Sequence, residues 1–132
     1  MEKETIDLRN LMLMIKEKKE IECTLALEFD CKIEVDNIES LVKVINYTIN
    51  YISQLANQPM QISLYAGYSE HTLVFTAFSA ATEFPPISEN VSEALLPYNA
   101  TISFDGEAGK FVQLKLTFKK EEAESETPPP AQ

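Results

Sequence analysis

The chain has 132 residues, of which 45% are apolar and 24% are charged, and its formal net charge at pH 7 is −10. This composition predicts one soluble globular domain, and no apolar run approaches the roughly 20 residues of a membrane span. The acidic balance excludes a nucleic-acid surface, since phosphate contacts require clustered Lys and Arg. The first ten residues carry charges ahead of a helical pattern and do not resemble a signal peptide, so we expect a cytoplasmic protein.

The N-terminal quarter of the chain is predicted to contain one helix and two strands. Apolar side chains recur at helical intervals through residues 6–19, with Asp7 as the expected cap and lysines in the last turn that complement the helix dipole. Apolar and polar residues then alternate through residues 21–35. This pattern predicts two strands, arranged as a hairpin or as neighbours, with a turn at Asp30.

Cys23 and Cys31 fall within these two strand segments. With no second pair or His nearby, they match no zinc-ligand spacing. We interpret both as reduced structural thiols, and a disulfide across the candidate hairpin stays open at this point.

The longest segment with a single apolar period is residues 38–57, which predicts the central helix of the domain. An Asp-Asn pair directly before it is expected to supply the cap. Ile45, Ile49 and Ile52 belong to its apolar stripe, and we expect these side chains to pack on a sheet.

A polar row runs beside that stripe and comprises Asn46, Asn50, Ser53 and Asn57. Asn is an indifferent helix former, so its recurrence on one flank needs a reason. The row is either a ligand or metal site along the helix edge or a solvated margin, and the pattern leaves both interpretations open.

Two more strands are predicted after the central helix, over residues 60–67 and 72–80, with a short turn between them. His71, the single histidine, flanks this turn. A phosphoacceptor or general base would need an acidic or nucleophilic partner that the sequence does not offer, so we expect an ordinary surface side chain.

The C-terminal part is predicted to form a short helix over residues 87–95, ended by Pro97, and a hairpin built from residues 100–104 and 111–118. Residues 119–132 are acidic and Pro-rich, and we expect them to be disordered. The order of elements predicts an α+β two-layer sandwich in residues 1–118.

Two local features of this sandwich point to a known family. Asn46 and Asn50 stand four residues apart in the long helix, and residues 95–118 combine a helix end with a hairpin that has a Gly-bearing turn. Residues 6–118 thereby resemble the GHKL, or Bergerat, ATP-binding domain of sensor histidine kinases, type II topoisomerases and heat-shock chaperones. The resemblance is nearest to the kinases, whose long helix carries the N box. It implies a mixed sheet, a nucleotide site bordered by the long helix, and magnesium held at Asn50.

The chain departs from this family at the nucleotide site. Where the family reads Asp-x-Gly-x-Gly, residues 76–81 read Thr-Ala-Phe-Ser-Ala-Ala, so the adenine acceptor is absent. The Gly-rich lid is reduced to residues 82–86, which contain no glycine to let the backbone wrap a triphosphate. Glu83 in that segment opposes phosphate charge, and the upstream helix has no phosphoacceptor histidine.

These departures predict a non-catalytic histidine-kinase-like domain that needs no cofactor and acts as a protein-interaction or regulatory module in signalling. The alternative is an atypical binder of ATP and magnesium that keeps the metal at Asn50 and recruits Ser79 or Thr82 for the base. A phosphotransfer protein is a third class, but it would need a second long helix.

The predicted interface is the face left by the lost lid, and it comprises Phe78, Phe84, Pro85, Pro86 and Ile87. Apolar residues that cluster on a surface mark interfaces, so we expect a protein partner or self-association. The alternative is that these side chains fold back into the nucleotide site, where Phe78 or Phe84 would fill it.

Overall fold

A computed structural model describes residues 4–120 of the chain. Over this range the elements in chain order are β1 (Glu4–Asp7), α1 (Leu8–Lys19), β2 (Cys23–Leu27), β3 (Lys32–Val35), α2 (Glu39–Leu55), β4 (Met60–Ala66), β5 (Glu70–Phe78), α3 (Glu89–Leu95), a 3₁₀ turn (Leu96–Tyr98), β6 (Ala100–Glu107) and β7 (Phe111–Lys119). None of the helices in this part of the chain is long and apolar enough to cross a membrane.

Five strands form the main sheet, in the order β2-β4-β5-β7-β6. β2 runs parallel to β4, and the other neighbours are antiparallel, so the sheet is mixed. β1 and β3 form a separate antiparallel pair. The structure confirms the predicted α+β sandwich with a mixed sheet.

The core lies between α2 and the sheet. Ile45, Ile49 and Ile52 are fully buried, and α2 packs against β5 and β7. The strands contribute alternate residues to this core because successive side chains of a strand point to opposite faces. The fully buried side chains of β5 and β7 are Leu73, Phe75, Val112, Leu114, Leu116 and Phe118. The predicted packing of the α2 stripe on a sheet is therefore confirmed.

The first helix begins two residues later than predicted. Residues Glu4–Asp7 are extended and pair with β3, and α1 starts at Leu8. Asp7 is the N-cap, as expected, and its carboxylate accepts hydrogen bonds from the N–H groups of Arg9 at 3.0 Å and Asn10 at 3.4 Å. A strand of four residues that continues into a helix offers too short an alternation to be read from sequence.

The two strands predicted within residues 21–35 are present, but they pair neither as a hairpin nor as neighbours, so that part of the prediction is wrong. β2 belongs to the main sheet, whereas β3 pairs with β1. The chain turns away from the main sheet at Asp30, whose φ of 64° lies in the left-handed region. The following Cys31 is fully buried, and its carbonyl accepts a hydrogen bond from the Leu8 N–H at 2.8 Å. Both cysteines are free thiols.

Both ends of α2 fall inside the predicted range of 38–57. At its start, the N-cap position is Ile38, which makes no side-chain hydrogen bond. Asn37, one of the two alternative caps predicted, lies one residue earlier, and its side-chain oxygen accepts a hydrogen bond from the Glu39 N–H at 2.7 Å. At its end, Ala56 is already extended, ahead of Pro59.

The last strand extends one residue further than predicted. Lys119 pairs with Glu70, and its N–H donates to the Asn99 carbonyl at 3.0 Å. The Lys120 N–H donates to the Ser69 carbonyl at 3.0 Å. The predicted disordered tail therefore begins too early at residue 119, and residues 121–132 lie outside the described part of the chain.

Candidate functional site

The candidate site lies beside the face of α2 that carries the asparagine pair. Asn50 is exposed, as are Ser53 and Asn57, so this part of the polar row faces solvent. Asn46 is half-buried, and its side-chain oxygen is buried without a hydrogen-bond partner. The two asparagines therefore differ in environment, although both belong to one helix flank.

Two tyrosines on α2 bind the segment that follows β5, residues 79–88, which we call the strap. The Tyr51 hydroxyl donates to the Pro85 carbonyl at 2.6 Å. The Tyr47 hydroxyl accepts from the Ser88 N–H at 3.0 Å. Since residues four apart are neighbours on a helix surface, the two rings lie 6.3 Å apart and hold the strap at two points.

Burial, together with the neighbouring Tyr47, raises the pKa of Tyr51 above its usual value. The phenol therefore keeps its proton at neutral pH and remains a hydrogen-bond donor to the strap. A charged phenolate would instead repel the Pro85 carbonyl oxygen.

An aromatic cluster closes the space between the strap and the sheet edge. Phe84 of the strap packs on Phe104 of β6, with ring centroids 5.2 Å apart, and Tyr51 meets Phe104 edge-on at 6.3 Å. Gly106 makes room for this ring, since a Cβ there would come within 3.0 Å of the tip of Phe104. A side chain at position 106 would therefore displace the Phe104 ring from this cluster.

A small open cavity remains beside this cluster. Its volume is about 270 Å³, and its lining is apolar or aromatic: Tyr51, Phe84, Pro85, Pro86, Ile87 and Phe104. Pockets that enclose drug-sized ligands measure about 300–1,000 Å³. The cavity is therefore small for a nucleotide and lacks the charged groups that would neutralise phosphates.

The first part of the strap is fixed to the turn between β6 and β7. The Ser79 N–H donates to the Lys110 carbonyl at 2.9 Å, and the Gly109 N–H donates to the Ala81 carbonyl at 2.7 Å. Gly109 has a φ of 76°, a left-handed conformation that favours glycine. Ser79 is buried, and its hydroxyl already accepts from the Ala81 N–H at 3.1 Å. Thr82 is exposed.

The five predicted interface residues do not form one patch. Phe84, Pro85, Pro86 and Ile87 line the cavity beside Tyr51, whereas Phe78 lies on the opposite face of the sheet. The reason is strand alternation: Ala77 points into the core, so Phe78 points outward and is 69% exposed, paired with Phe111. Phe78 therefore fills no nucleotide pocket, and Phe84 is the phenylalanine that packs at the site.

Solved structures share this arrangement of helices and strands. The histidine kinase domain of the E. coli osmosensor EnvZ superposes with a TM-score of 0.71 at 11% identity, over 100% of this chain and 95% of that one. The Acinetobacter baumannii histidine kinase AdeS gives 0.70 at 12% identity, over 92% of this chain and 69% of that one. The chain has the histidine kinase catalytic-domain fold. Neither a family model nor a curated protein sequence matches it.

A third neighbour is full-length ShkA in complex with AMPPNP, with a TM-score of 0.67 at 12% identity, over 90% of this chain and 32% of that one. At such identities the likeness establishes the fold alone. Because one fold supports many activities, the function of this histidine-kinase fold must be inferred from its own side chains.

Three residues of the site were not predicted from the sequence: Tyr47, Tyr51 and Phe104. The two tyrosines were visible as an i, i+4 aromatic pair that interleaves with the asparagine pair, and this spacing indicates a shared helix face. Phe104 gave no such signal, because its contacts with Phe84 and Tyr51 join segments far apart in the sequence.

The expectation of a surface position for His71 is wrong. His71 lies in β5 between Ala66 and Phe118 and is only 2% exposed. Burial lowers its pKa, the charge of Lys120 lowers it further, and a hydrogen bond with the Lys32 backbone partly offsets both. Its Nδ1 has no hydrogen-bond partner. A neutral imidazole without access to solvent is unsuited to accept a phosphoryl group.

This buried imidazole predicts a specific pH dependence of stability. The folded pKa is lowered, so below the ordinary value of 6.5 the unfolded chain binds a proton that the folded chain resists. The free energy of unfolding should therefore fall as the pH drops through 6.5 and should level off below the folded pKa.

Urea unfolding of the wild type and of His71→Leu at about pH 7.5 and pH 5.5 measures this effect. The wild type should lose more stability between the two pH values than the variant, because both chains share every carboxylate. Equal losses would show that His71 does not contribute to the pH dependence.

The thiols do not add a nucleophile to the site. Burial raises the pKa of Cys23, and burial followed by the charges of Glu28, Asp7 and Asp30 raises the pKa of Cys31. Both therefore stay protonated at neutral pH, which makes them unreactive. Among residues 4–120, no three His, Cys, Asp or Glu side chains are grouped as metal ligands.

Proposed function

We propose that this chain is a non-catalytic histidine-kinase-like domain, which acts in the cytoplasm as a protein-interaction or regulatory module in signalling. The observation that most supports this proposal is the pair of hydrogen bonds from Tyr47 and Tyr51 to the strap. They hold the strap across the α2 face at which the resemblance to kinases expects a nucleotide. Phe84 and Phe104 then occupy the adjoining space.

The chemistry of the strap supports the same proposal. Phosphate cradles are built from free backbone N–H groups, often at glycines with open φ/ψ space. The strap contains no glycine, two of its residues are prolines without an N–H, and its Ser88 N–H is engaged by Tyr47. Its exposed Glu83 adds a negative charge that repels phosphate.

A second candidate function is an atypical binder of ATP and magnesium that holds the metal at Asn50. Two observations favour it: Asn50 is exposed, and the Asn46 side-chain oxygen is buried without a partner. ShkA, which has the same fold, was solved with AMPPNP. Ser79 is poorly placed to contact a base in this scheme, since its side chain is buried and its hydroxyl accepts from the Ala81 N–H.

Isothermal titration of the full chain with ATP and magnesium chloride decides between the two candidates. The proposed function predicts no binding tighter than about 1 mM, which corresponds to about −4 kcal/mol. Asn50→Ala is the matched variant. Micromolar affinity that requires magnesium and disappears in Asn50→Ala would overturn the proposal and support the second candidate.

The proposal leaves the remaining strap residues available to a protein partner. Pro85 and Pro86 are exposed, and Phe84 and Ile87 are only half-buried. Exposed apolar groups that adjoin a cavity are a common feature of protein-binding surfaces.

A further inference from the structure

The chain segment that contains the strap carries acidic side chains without basic ones. Between Lys43 and Lys110 the chain contains no Lys or Arg. The same interval contains the acidic residues Glu70, Glu83, Glu89, Glu93, Asp105 and Glu107. His71, the one other titratable cation in the interval, is buried and held neutral.

Two of these carboxylates flank the strap residues that line the apolar cavity. Glu83 directly precedes Phe84, and Glu89 lies two residues after Ile87; both are exposed. Asp105 follows Phe104 in β6 and therefore lies on the opposite face of the sheet. Two lysines stand at the limits of the interval. Lys110 Nζ is 3.1 Å from a carboxylate oxygen of Glu107, and Lys43 lies one helical turn before Tyr47.

We infer that this cavity, together with the carboxylates of Glu83 and Glu89, docks a cationic protein segment that carries one apolar anchor; we call this surface the acidic cleft. The inference rests on the proposed function and names the class of partner. A cavity of about 270 Å³ lined by aromatic rings and prolines accommodates one large apolar side chain. Lys and Arg on both sides of that anchor would meet Glu83 and Glu89, which adds specificity and speeds association.

Charge argues against the other occupants. A second copy would bring a net charge of −10 and the same acidic cleft, so a symmetric dimer through this face places carboxylates against carboxylates. The chain's own residues 121–132 contain Glu121, Glu122, Glu124 and Glu126 and no Lys or Arg. A phosphorylated ligand would be repelled for the same reason.

Short synthetic peptides test the inference on the full chain. The first probe is a fluorescein-labelled peptide with one central Phe flanked by Lys and Arg. The second replaces Phe by Ala, and the third replaces each Lys and Arg by Glu. In fluorescence anisotropy the first should bind, the second about tenfold more weakly and the third not at all. Raising the salt from about 20 to 200 mM should weaken the first peptide several-fold.

Variants of equal charge separate docking at the cleft from general attraction. Glu83→Lys with Glu89→Lys should weaken the first peptide by about tenfold. The matched control is Glu17→Lys with Glu22→Lys, which changes the net charge equally on α1 and just before the far edge strand β2. This control should change the affinity by less than about twofold.

Each remaining outcome decides against the inference. Equal weakening by both double variants would mean that only net charge matters, and equal binding of the Phe and Ala peptides would mean that the cavity takes no anchor. Dimerisation through the strap, detected by light scattering and lost in Glu83→Lys with Glu89→Lys, would assign the cleft to a second copy. If ATP and magnesium displaced the peptide, the proposed function would be overturned together with the inference. If neither the peptide nor ATP bound, the inference would fail but the proposed function would stand.

Discussion

Ile49→Ala is expected to lower the free energy of unfolding by about 2–5 kcal/mol, because it removes a fully buried side chain of α2 and leaves a cavity against the sheet. Asn50→Ala, at the next position, should change it by less than about 0.5 kcal/mol, since Asn50 is exposed. Urea unfolding of the two variants at one pH, compared with the wild type, measures both values.

Ile49→Val is the control for this comparison, because it removes one methylene and should lower the free energy of unfolding by only about 0.5–1.5 kcal/mol. Comparable losses in Ile49→Ala and Asn50→Ala would contradict the exposed position of the Asn50 side chain. Such a result would instead place the Asn50 side chain in a structural hydrogen-bond network.

The parts of the fold that follow from local periodicity were predictable from the sequence. The α2 stripe repeats every three to four residues, and buried positions alternate with less buried ones through β5 and β7, so each of these elements carries its own signal of burial. Turn residues and Pro59 then set the approximate boundaries of these elements. The predicted layering follows because a helix stripe and a strand face must cover one another.

The separate pair of β1 and β3 could not be predicted in this way. Its strands have four residues each and are joined across α1 and β2, so their pairing depends on contacts between distant segments. The same holds for the parallel pairing of β2 with β4, which requires the chain to leave the sheet and return through α2. Because β2 and β3 are close in sequence, a hairpin between them was predicted, but each strand pairs with a more distant one.

The burial of His71 was within reach of the sequence. His71 shares its parity with Leu73, Phe75 and Ala77, so a strand that begins at Glu70 places all four on the core face. The prediction failed because the strand was started at residue 72, which left the imidazole in the turn. A two-residue error at an element boundary thus changed a buried side chain into an exposed one.

The candidate site was predictable only in part. The asparagine pair could be located from the sequence because it matches the N box of the kinases. The strap could be located because it lacks the glycines that the family has in its lid. The closure of the strap depends on Tyr51 meeting Pro85 and on Phe84 meeting Phe104, contacts that bridge helix, strap and sheet edge. Pairwise contacts of this kind leave no periodic signal.

Phe84→Ala should lower the free energy of unfolding by about 1–3 kcal/mol, because it removes the ring contact with Phe104. This is less than the loss of about 3–5 kcal/mol for a fully buried Phe, since Phe84 is half-buried. Phe78→Ala is the matched control. It removes the same ring from the open face of the sheet, where Phe78 is 69% exposed, and should lower stability by less than about 1 kcal/mol.

Urea unfolding measures both changes, and hydrogen exchange locates them. The Ser88 amide, which donates to the Tyr47 hydroxyl, should exchange faster in Phe84→Ala because the strap loses its packing against Phe104. In Phe78→Ala its exchange should match the wild type. If the two variants lost equal stability, or if Ser88 exchanged equally fast in both, Phe84 would not be holding the strap against β6 and the closed site would depend on the tyrosine hydrogen bonds alone.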